Sequence, residues 1–485
     1  RRPMMFTTNG FETYFWDDVG STPRKVSNVF GEEDLERLMN RRIESHRDLH
    51  TIPIDDAITD RVYQKEAIRA VCSEIQRGVR KHLLVMATGT GKTRTVASLV
   101  DVLSKGNYVT NVLFLADRTA LVTQAKDSFK NYLPRMSLCN LCSNKKEKDA
   151  RIVFSTYPTI LNAIDDTKRP EDVRAFTPAH FDLIVIDESH RSIFRKYREI
   201  FDYFDAVLVG LTATPKMDVD RNTYEFFELD DNIPTYAYGY QEAVDEGYLV
   251  PYYNYEVYTK FLTEGITYDD LSPEDKKRFE DDFVEDDGVV PDFISEALLN
   301  KTVYNIETID NVLQEVMEKG IRTNGGDMLG KTIIFAQNQR HAQLIVERFD
   351  KLYPEYHGNF AARVVCTDSY VQSIIDKFKQ KDSGLQIAVS VDMLDTGIDV
   401  PECVNLVFFK KVRSKTKFWQ MIGRGTRLCP ALECNDFRQG EYVGKKYFLI
   451  FDYCSNFAYF REHENDAGNG TIRTLSENIF IKRIT

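Results

Sequence analysis

The stretch His82-Leu-Leu-Val-Met-Ala-Thr-Gly-Thr-Gly-Lys-Thr93 constrains this chain more than any other. The apolar run 83–86 reads as a short buried strand, the glycines after it as a tight turn, and the residues from Lys92 onward as a helix. That order turns several backbone N–H groups inward at the positive end of a helix, an arrangement that binds phosphate. Thr88, Gly89, Thr90 and Gly91 are expected to form the cradle, with Lys92 reaching the β- and γ-phosphates of ATP and the Thr93 hydroxyl helping to hold Mg²⁺. The strict pattern G-x-x-x-x-G-K-[ST] asks for glycine at position 86, where this chain has Met86. The core T-G-T-G-K-T is intact, so a variant loop is expected; the plain alternative is a glycine turn with a chance lysine.

Around this stretch, nearly all-apolar runs at 112–116, 152–156, 183–187 and 206–212 alternate with helical patterns. Strands apolar on both faces belong to a parallel sheet covered by helices on either side, so a doubly wound α/β domain is expected. Its ligand site belongs at the carboxyl ends of the strands. Asp187-Glu-Ser-His190 follows one such run directly. A carboxylate there can hold Mg²⁺, the role expected of Asp187, while Glu188 orients and deprotonates an attacking water. Thr212-Ala-Thr214-Pro follows the next run and offers small hydroxyls for a relay, although such residues also simply end strands. Upstream, Arg61-Val-Tyr-Gln64 opens a helix, and Gln64 is placed to hydrogen-bond an adenine edge.

Composition narrows the class. The 485 residues suffice for two or three domains, and no apolar run reaches the ~18 residues that span a bilayer. The net charge of −12 argues against binding nucleic acid by bulk charge, yet leaves room for a local basic groove. Eight cysteines in this length suit a reducing cytoplasm; Cys139 and Cys142, like Cys429 and Cys434, read as ordinary core or loop thiols. The start, Arg-Arg-Pro-Met-Met, reads as the tail of an upstream domain and linker over 1–50, with a helical charge pattern at 32–44. The first α/β domain is expected over 51–250 and an acidic insertion or linker over 251–300. A second α/β domain follows over 301–460, with a helix at 306–319 and strands at 331–336, 363–367, 385–391, 404–409 and 447–452. Residues 461–485 begin a C-terminal region. Two such domains in tandem imply an ATP cleft between them.

The second half carries Asp395-Thr-Gly-Ile-Asp-Val-Pro401, a basic loop (Lys410, Lys411, Arg413, Lys415, Lys417) and Gln420-Met-Ile-Gly-Arg-Gly-Thr-Arg427. Arg424 and Arg427 are spaced to face one surface of a helix, and arginines over a γ-phosphate stabilise phosphoryl transfer. The basic loop, Lys411 and Arg413 included, reads either as solvated surface or as contacts to DNA phosphates.

Taken in order, Gln64, T-G-T-G-K-T, Ala116-Asp-Arg-Thr-Ala-Leu, Ser155-Thr-Tyr, D-E-S-H, T-A-T-P, D-T-G-I-D-V-P and Q-M-I-G-R-G-T-R resemble a superfamily 2 helicase or translocase motor with two tandem RecA-like domains. Asp187-Glu-Ser-His-Arg-Ser192, Arg221-Asn-Thr-Tyr-Glu-Phe-Phe227, Tyr238-Gly-Tyr-Gln-Glu-Ala243, Gly247-Tyr-Leu-Val-Pro251 and Ser414-Lys-Thr-Lys-Phe-Trp-Gln-Met421 look like the R (HsdR) subunit of type I restriction enzymes. Ser189 stands where the usual motif has alanine. The resemblance implies a motor that hydrolyses ATP to pull double-stranded DNA, in complex with methylation (M) and specificity (S) subunits, toward an upstream nuclease domain. It places Lys92, Thr93, Asp187 and Glu188 at ATP and Mg²⁺, Arg424 and Arg427 as fingers, Gln64 at adenine, and Arg118, Thr156 and Thr396 along the DNA track. A strand-separating helicase, a non-hydrolysing ATP-gated scaffold and a small-molecule kinase are the alternative readings.

Overall fold

The computed structural model describes residues 3–18, 22–44, 46–143, 149–165, 175–189, 196–256, 266–267, 293–294, 306–365, 370–381, 383–394 and 399–462. The chain divides into two units, Arg1–Glu242 and Ala243–Thr485.

The first unit begins with a small antiparallel sheet of strands β1 (Met5–Thr8), β2 (Thr13–Trp16) and β3 (Arg24–Val26), followed by helix α1 (Glu32–Glu44). Phe15, Val26, Phe30 and Ala179 close a satellite core beneath it. The main sheet is built from β4 (Lys81–Met86), β5 (Val112–Ala116), β6 (Leu138–Asn140), β7 (Ile152–Thr156), β8 (Leu183–Ile186), β9 (Val207–Thr212) and β10 (Tyr236–Tyr238). Its order is β10-β4-β9-β8-β5-β7-β6, and every neighbouring pair is parallel. Helices α2 (Val62–Gln76), α3 (Lys92–Lys105), α4 (Thr119–Tyr132) and α5 (Tyr157–Ile164) belong to the same unit. Side chains alternate across a strand, so Leu83, Val85, Leu113, Leu115, Ile184 and Ile186 share one core with Tyr157, Phe181 and Phe204.

The second unit repeats the plan. Strands β11 (Tyr252–Glu256), β12 (Ile266–Thr267), β13 (Phe293–Ile294), β14 (Arg322–Thr323), β15 (Met328–Leu329), β16 (Lys331–Ala336), β17 (Ala361–Val364), β18 (Ile387–Ser390), β19 (Cys403–Phe409), β20 (Glu433–Asp436), β21 (Gly440–Val443) and β22 (Phe448–Asp452) occur in that order. Six of them form a parallel sheet ordered β11-β22-β19-β16-β18-β17. Its two faces follow the strand period: Ile334, Ala336, Val407, Phe409, Leu449 and Phe451 face one core, and Ile333, Phe335, Leu406, Phe408 and Ile450 the other. A second, four-stranded antiparallel sheet runs β15-β14-β20-β21.

Both units therefore carry the doubly wound parallel α/β fold expected from the alternating apolar runs. The helices 32–44 and 306–319 match the expected bounds. Of the stretch 251–300 expected as an acidic insertion, Tyr252–Glu256 is an edge strand paired with β22, and most of the remainder lies outside the described residues. The strand expected at 363–367 is shifted to Ala361–Val364, because its register against β18 is fixed by pairing rather than by the most apolar window. Among the described residues, no helix is long and apolar enough to cross a membrane.

His82 is a polar residue inside the all-apolar run of β4, fully buried. Burial pushes its imidazole down to about 4, the Val79 backbone opposing only in part. The folded form thus resists protonation that the unfolded chain accepts near pH 6.5. Stability is complete above that pH and is lost as pH falls toward 4, by about 2 kcal/mol at pH 5 from this group. His82→Met is expected to lessen the loss of urea midpoint between pH 7.5 and pH 5; an unchanged pH dependence would refute the assignment.

Candidate functional site

β4 ends at Met86, and the chain turns through residues 87–91 into α3. Gly89 and Gly91 take left-handed backbone angles (φ 104° and 82°) that a side chain would strain, which is how the loop closes so tightly. Met86 is the last strand residue, fully buried, with the turn beginning only after it. Position 86 therefore needs no glycine, which accounts for the departure from the strict pattern. Lys92 opens α3 and extends its Nζ to the Met86 carbonyl, 3.2 Å away, across the turn. Thr88, Gly89, Gly91, Lys92 and Thr93 are partly exposed, whereas Thr90 is buried with its hydroxyl on the Ala87 carbonyl at 2.7 Å.

Gln64 is fully buried in α2 and faces this loop. Its Nε2 donates to the Thr90 carbonyl at 2.7 Å, and its Oε1 accepts from the Thr59 hydroxyl. The Tyr63 hydroxyl donates to the same Thr90 carbonyl at 2.8 Å, and the Tyr63 ring stacks on Tyr238 at 4.0 Å. In this geometry Gln64 braces the loop backbone and offers no open face to adenine, unlike the expectation from its sequence position.

At the carboxyl end of β8, Asp187 donates its N–H to the Leu115 carbonyl at 2.9 Å, and its Oδ1 accepts the Glu188 N–H at 3.1 Å. Glu188 sits in the left-handed region (φ 52°), unusual for a residue with a side chain. Ser189 is buried, and both its N–H and its hydroxyl donate to the Leu211 carbonyl, at 2.8 and 3.0 Å. The hydroxyl that distinguishes D-E-S-H from its usual form is thus a tie to β9, one residue before Thr212. Burial and then the negative charge of Glu188 push the Asp187 carboxyl up, against the pull of Lys92. The structure brings Lys92, Asp187 and Glu188 into one electrostatic neighbourhood. Two crowded acids beside a lysine and a glycine cradle make a donor set that fits a triphosphate with a divalent cation.

Thr156 precedes α5 and is mostly buried, its hydroxyl 2.9 Å from that of Thr159 and 3.8 Å from the Cys142 thiol. Tyr157 beside it is fully buried and donates to the Asp187 carbonyl at 3.3 Å. Burial, then the charges of Asp187, Asp117 and Glu188, push its phenol well above the usual range and keep it a donor. Arg118 is exposed at the start of α4. Within Ser155-Thr-Tyr157 the sequence marks Tyr157 only as an aromatic next to a polar strand end.

In the second unit, the helix Lys415–Ile422 stops at Gly423. Arg424 and Arg427 consequently lie in the turn beyond it rather than on one helical face; glycines at 423 and 425 end the helix early. A Cβ on Gly425 would fall 2.2 Å from the Phe448 ring, so the turn packs directly on β22. Arg424 donates Nε to the Gln420 carbonyl at 3.3 Å, and Arg427 pairs through Nε with Asp399 at 2.7 Å. Buried Lys445 ties the same region together, its Nζ donating to the carbonyls of Pro401 (3.0 Å) and Cys403 (2.5 Å). The basic loop is not plain solvated surface: Lys410, nearly buried, and Lys417 both bind Asp392, at 3.2 and 3.3 Å. Burial alone would raise the Asp392 carboxyl, but those two lysines hold it down to about 2. Arg413 lies 4.2 Å over the Tyr459 ring, and Lys411 is half-buried, which lowers its ammonium. Thr396 and His190 lie outside the described residues.

Comparison with known proteins bears on the family and the fold. Residues 57–217 match the family described as type III restriction enzyme, res subunit, and residues 310–429 the helicase conserved C-terminal domain. The chain is 30% identical over 424 residues to the type I restriction enzyme EcoKI endonuclease subunit of Escherichia coli K12, covering 78% of this chain and 34% of that subunit. To the EcoAI endonuclease subunit of Escherichia coli it is 31% identical over 408 residues, 81% of this chain and 46% of the relative. It thus spans between a third and a half of the length of these relatives. A fragment structure of an HsdR subunit from Vibrio vulnificus YJ016 superposes with a TM-score of 0.60 at 24% identity, covering 96% of this chain and 78% of that one, and so shares the fold. The chain belongs to the superfamily 2 helicase motors, of the kind carried by the HsdR endonuclease subunits of type I restriction enzymes.

Proposed function

We propose that this chain is an ATP-driven motor that moves double-stranded DNA, as the motor part of a type I restriction R subunit working with methylation and specificity subunits. The observation that carries the reading is the convergence of Lys92, at the glycine turn after β4, with Asp187 and Glu188 at the end of β8. Its family implies ATP use. When bound, ATP with Mg²⁺ supplies the phosphoanhydride whose hydrolysis drives movement.

The turn N–H groups of residues 88–91 hold phosphate oxygens, and Lys92 leaves the Met86 carbonyl to neutralise their charge. Thr93 and Asp187 furnish oxygen ligands for the cation. Glu188 orients the attacking water and takes its proton. Arg424 and Arg427 stabilise the charge that develops at the γ-phosphate, Arg427 after exchanging Asp399 for phosphate. Gln64 and Tyr63 act from behind the loop, fixing Thr90 so that the cradle keeps its shape. Arg118, Thr156, Thr396, Lys411 and Arg413 grip the DNA backbone, so the grip is independent of sequence and weakened by salt.

The test is ATP turnover with no DNA, with linear duplex DNA and with single strands, alongside displacement of a DNA triplex. Stimulation by duplex DNA with triplex displacement and no strand separation is expected. Stimulation by single strands alone, with unwinding of a fluorescent duplex, would establish a strand-separating helicase instead. Nucleotide binding without turnover, even with M and S subunits added, would establish a scaffold.

A further inference from the structure

Hydrogen bonds from three elements, two strands and a helix, converge on the turn that carries Asp187 and Glu188. The Asp187 N–H binds Leu115 of β5 at 2.9 Å. The Ser189 N–H and hydroxyl both bind Leu211 of β9, at 2.8 and 3.0 Å. On the remaining side the Tyr157 hydroxyl donates to the Asp187 carbonyl at 3.3 Å. The first two partners are strand backbone and move only with the sheet. Tyr157 differs: it is the first residue of α5, covalently next to Thr156. Its ring stacks on Tyr197 at 5.2 Å with planes 16° apart. Thr156 is linked in turn to Thr159 at 2.9 Å and to Cys142 at 3.8 Å, so the β7–α5 corner is one hydrogen-bonded unit.

We propose that Tyr157 is a positioning residue that transmits engagement of DNA at the β7–α5 corner to the carboxylate pair of the ATPase site. The inference rests on the DNA-motor reading above and names a path by which DNA controls turnover. Glu188 needs this support because its left-handed backbone (φ 52°) is held by its neighbours rather than by its own preference. A shift of the corner on a DNA phosphate changes the pull on the Asp187 carbonyl, and through it the aim of the Glu188 carboxylate. Ser189 keeps the opposite side of the turn fixed to β9, so the shift is felt at Glu188 and not dissipated along the strand.

Tyr157→Phe removes the donor and keeps the ring, the stack and the packing. The ratio of duplex-stimulated to DNA-free ATP turnover is expected to fall roughly three- to tenfold, the scale of single residues on a coupling path. Duplex affinity, read by fluorescence anisotropy, should stay within about twofold. A merely structural role would lower both rates by one factor and leave the ratio intact, and that result, or an unchanged ratio, would overturn the proposal. Should the variant fold poorly, hydrogen exchange in the wild-type protein decides: duplex DNA should alter exchange at the amides of 187–189, and no change there would overturn it. Wild-type protein with no DNA-stimulated turnover would instead refute the motor reading itself.

Discussion

Glu188→Gln is expected to reduce duplex-stimulated ATP turnover by about 10²- to 10⁴-fold, the usual contribution of a positioned general base. The substitution keeps the shape of the side chain and removes only its ability to take a proton. The turn that presents it depends on backbone contacts from Leu115 and Leu211 and on the Ser189 hydroxyl, none of which involves the Glu188 side chain. Nucleotide affinity should hold or tighten, because one of two crowded negative charges beside the triphosphate is gone. The informative comparison is therefore turnover against binding of a fluorescent ATP analogue. Lost turnover with retained binding supports Glu188 as the base; loss of both would mean that it shapes the site rather than acts in it. Lys92→Ala should give the opposite pattern, with binding lost first, since its charge serves the bound phosphates from the start.

The parts of this fold that were legible in the sequence are those governed by period and by glycine. Strands buried on both faces announce themselves as unbroken apolar runs, and the bounds of β5, β7 and β16 follow directly. The glycine turn before Lys92 was legible because only glycine takes the backbone angles it needs. What was not legible depended on partners distant in sequence. β10 and β11 are short edge strands whose identity comes from β4 and β22, far away along the chain. The helix before Arg424 stops at Gly423, and Gly425 in the turn beyond packs on Phe448, whereas the spacing of the arginines alone suggests a continuing helix. Gln64 was found by its distance from the phosphate loop, but its direction could not be: Thr59 and Thr90 take both ends of the amide. The acid that neutralises Lys410 and Lys417 is Asp392, which no basic-run pattern contains.

Asp205→Asn is expected to lower stability by about 3 kcal/mol and to loosen the amino-terminal sheet from the first unit. The Asp205 carboxylate, mostly buried just before β9, accepts Nε and Nη2 of Arg24 at 2.7 Å each and Nη2 of Arg80 at 2.8 Å. Arg24 belongs to β3, so this acid fastens the small sheet to the amino ends of the main strands, the end opposite Lys92 and Asp187. Burial by itself would raise the carboxyl; the Arg80 charge and the Arg24 hydrogen bonds outweigh it and hold it below the usual range. With the folded value depressed, its stabilisation is complete above the ordinary carboxylate range near 4 and is lost as pH falls below that. The difference in urea midpoint between wild type and Asp205→Asn should accordingly be large at pH 7 and shrink below pH 4. The asparagine cannot serve two guanidinium groups, and removing one partner of a buried ionic cluster costs more than the cluster contributes as a whole. Asp182 forms a second anchor, bound by Arg41 of α1 at 2.5 Å and by the N–H groups of Thr110 and Asn111. Hydrogen exchange should therefore quicken in β1–β3 in the single variant, and in α1 as well only when Asp182→Asn is added. Glu12→Gln, which breaks the solvent-exposed pair with Lys25, is the control and should leave the midpoint where it was. An Asp205→Asn protein as stable as wild type, with β1–β3 exchange unchanged, would show that the satellite core of Phe15, Val26, Phe30 and Ala179 holds the sheet without help from charge.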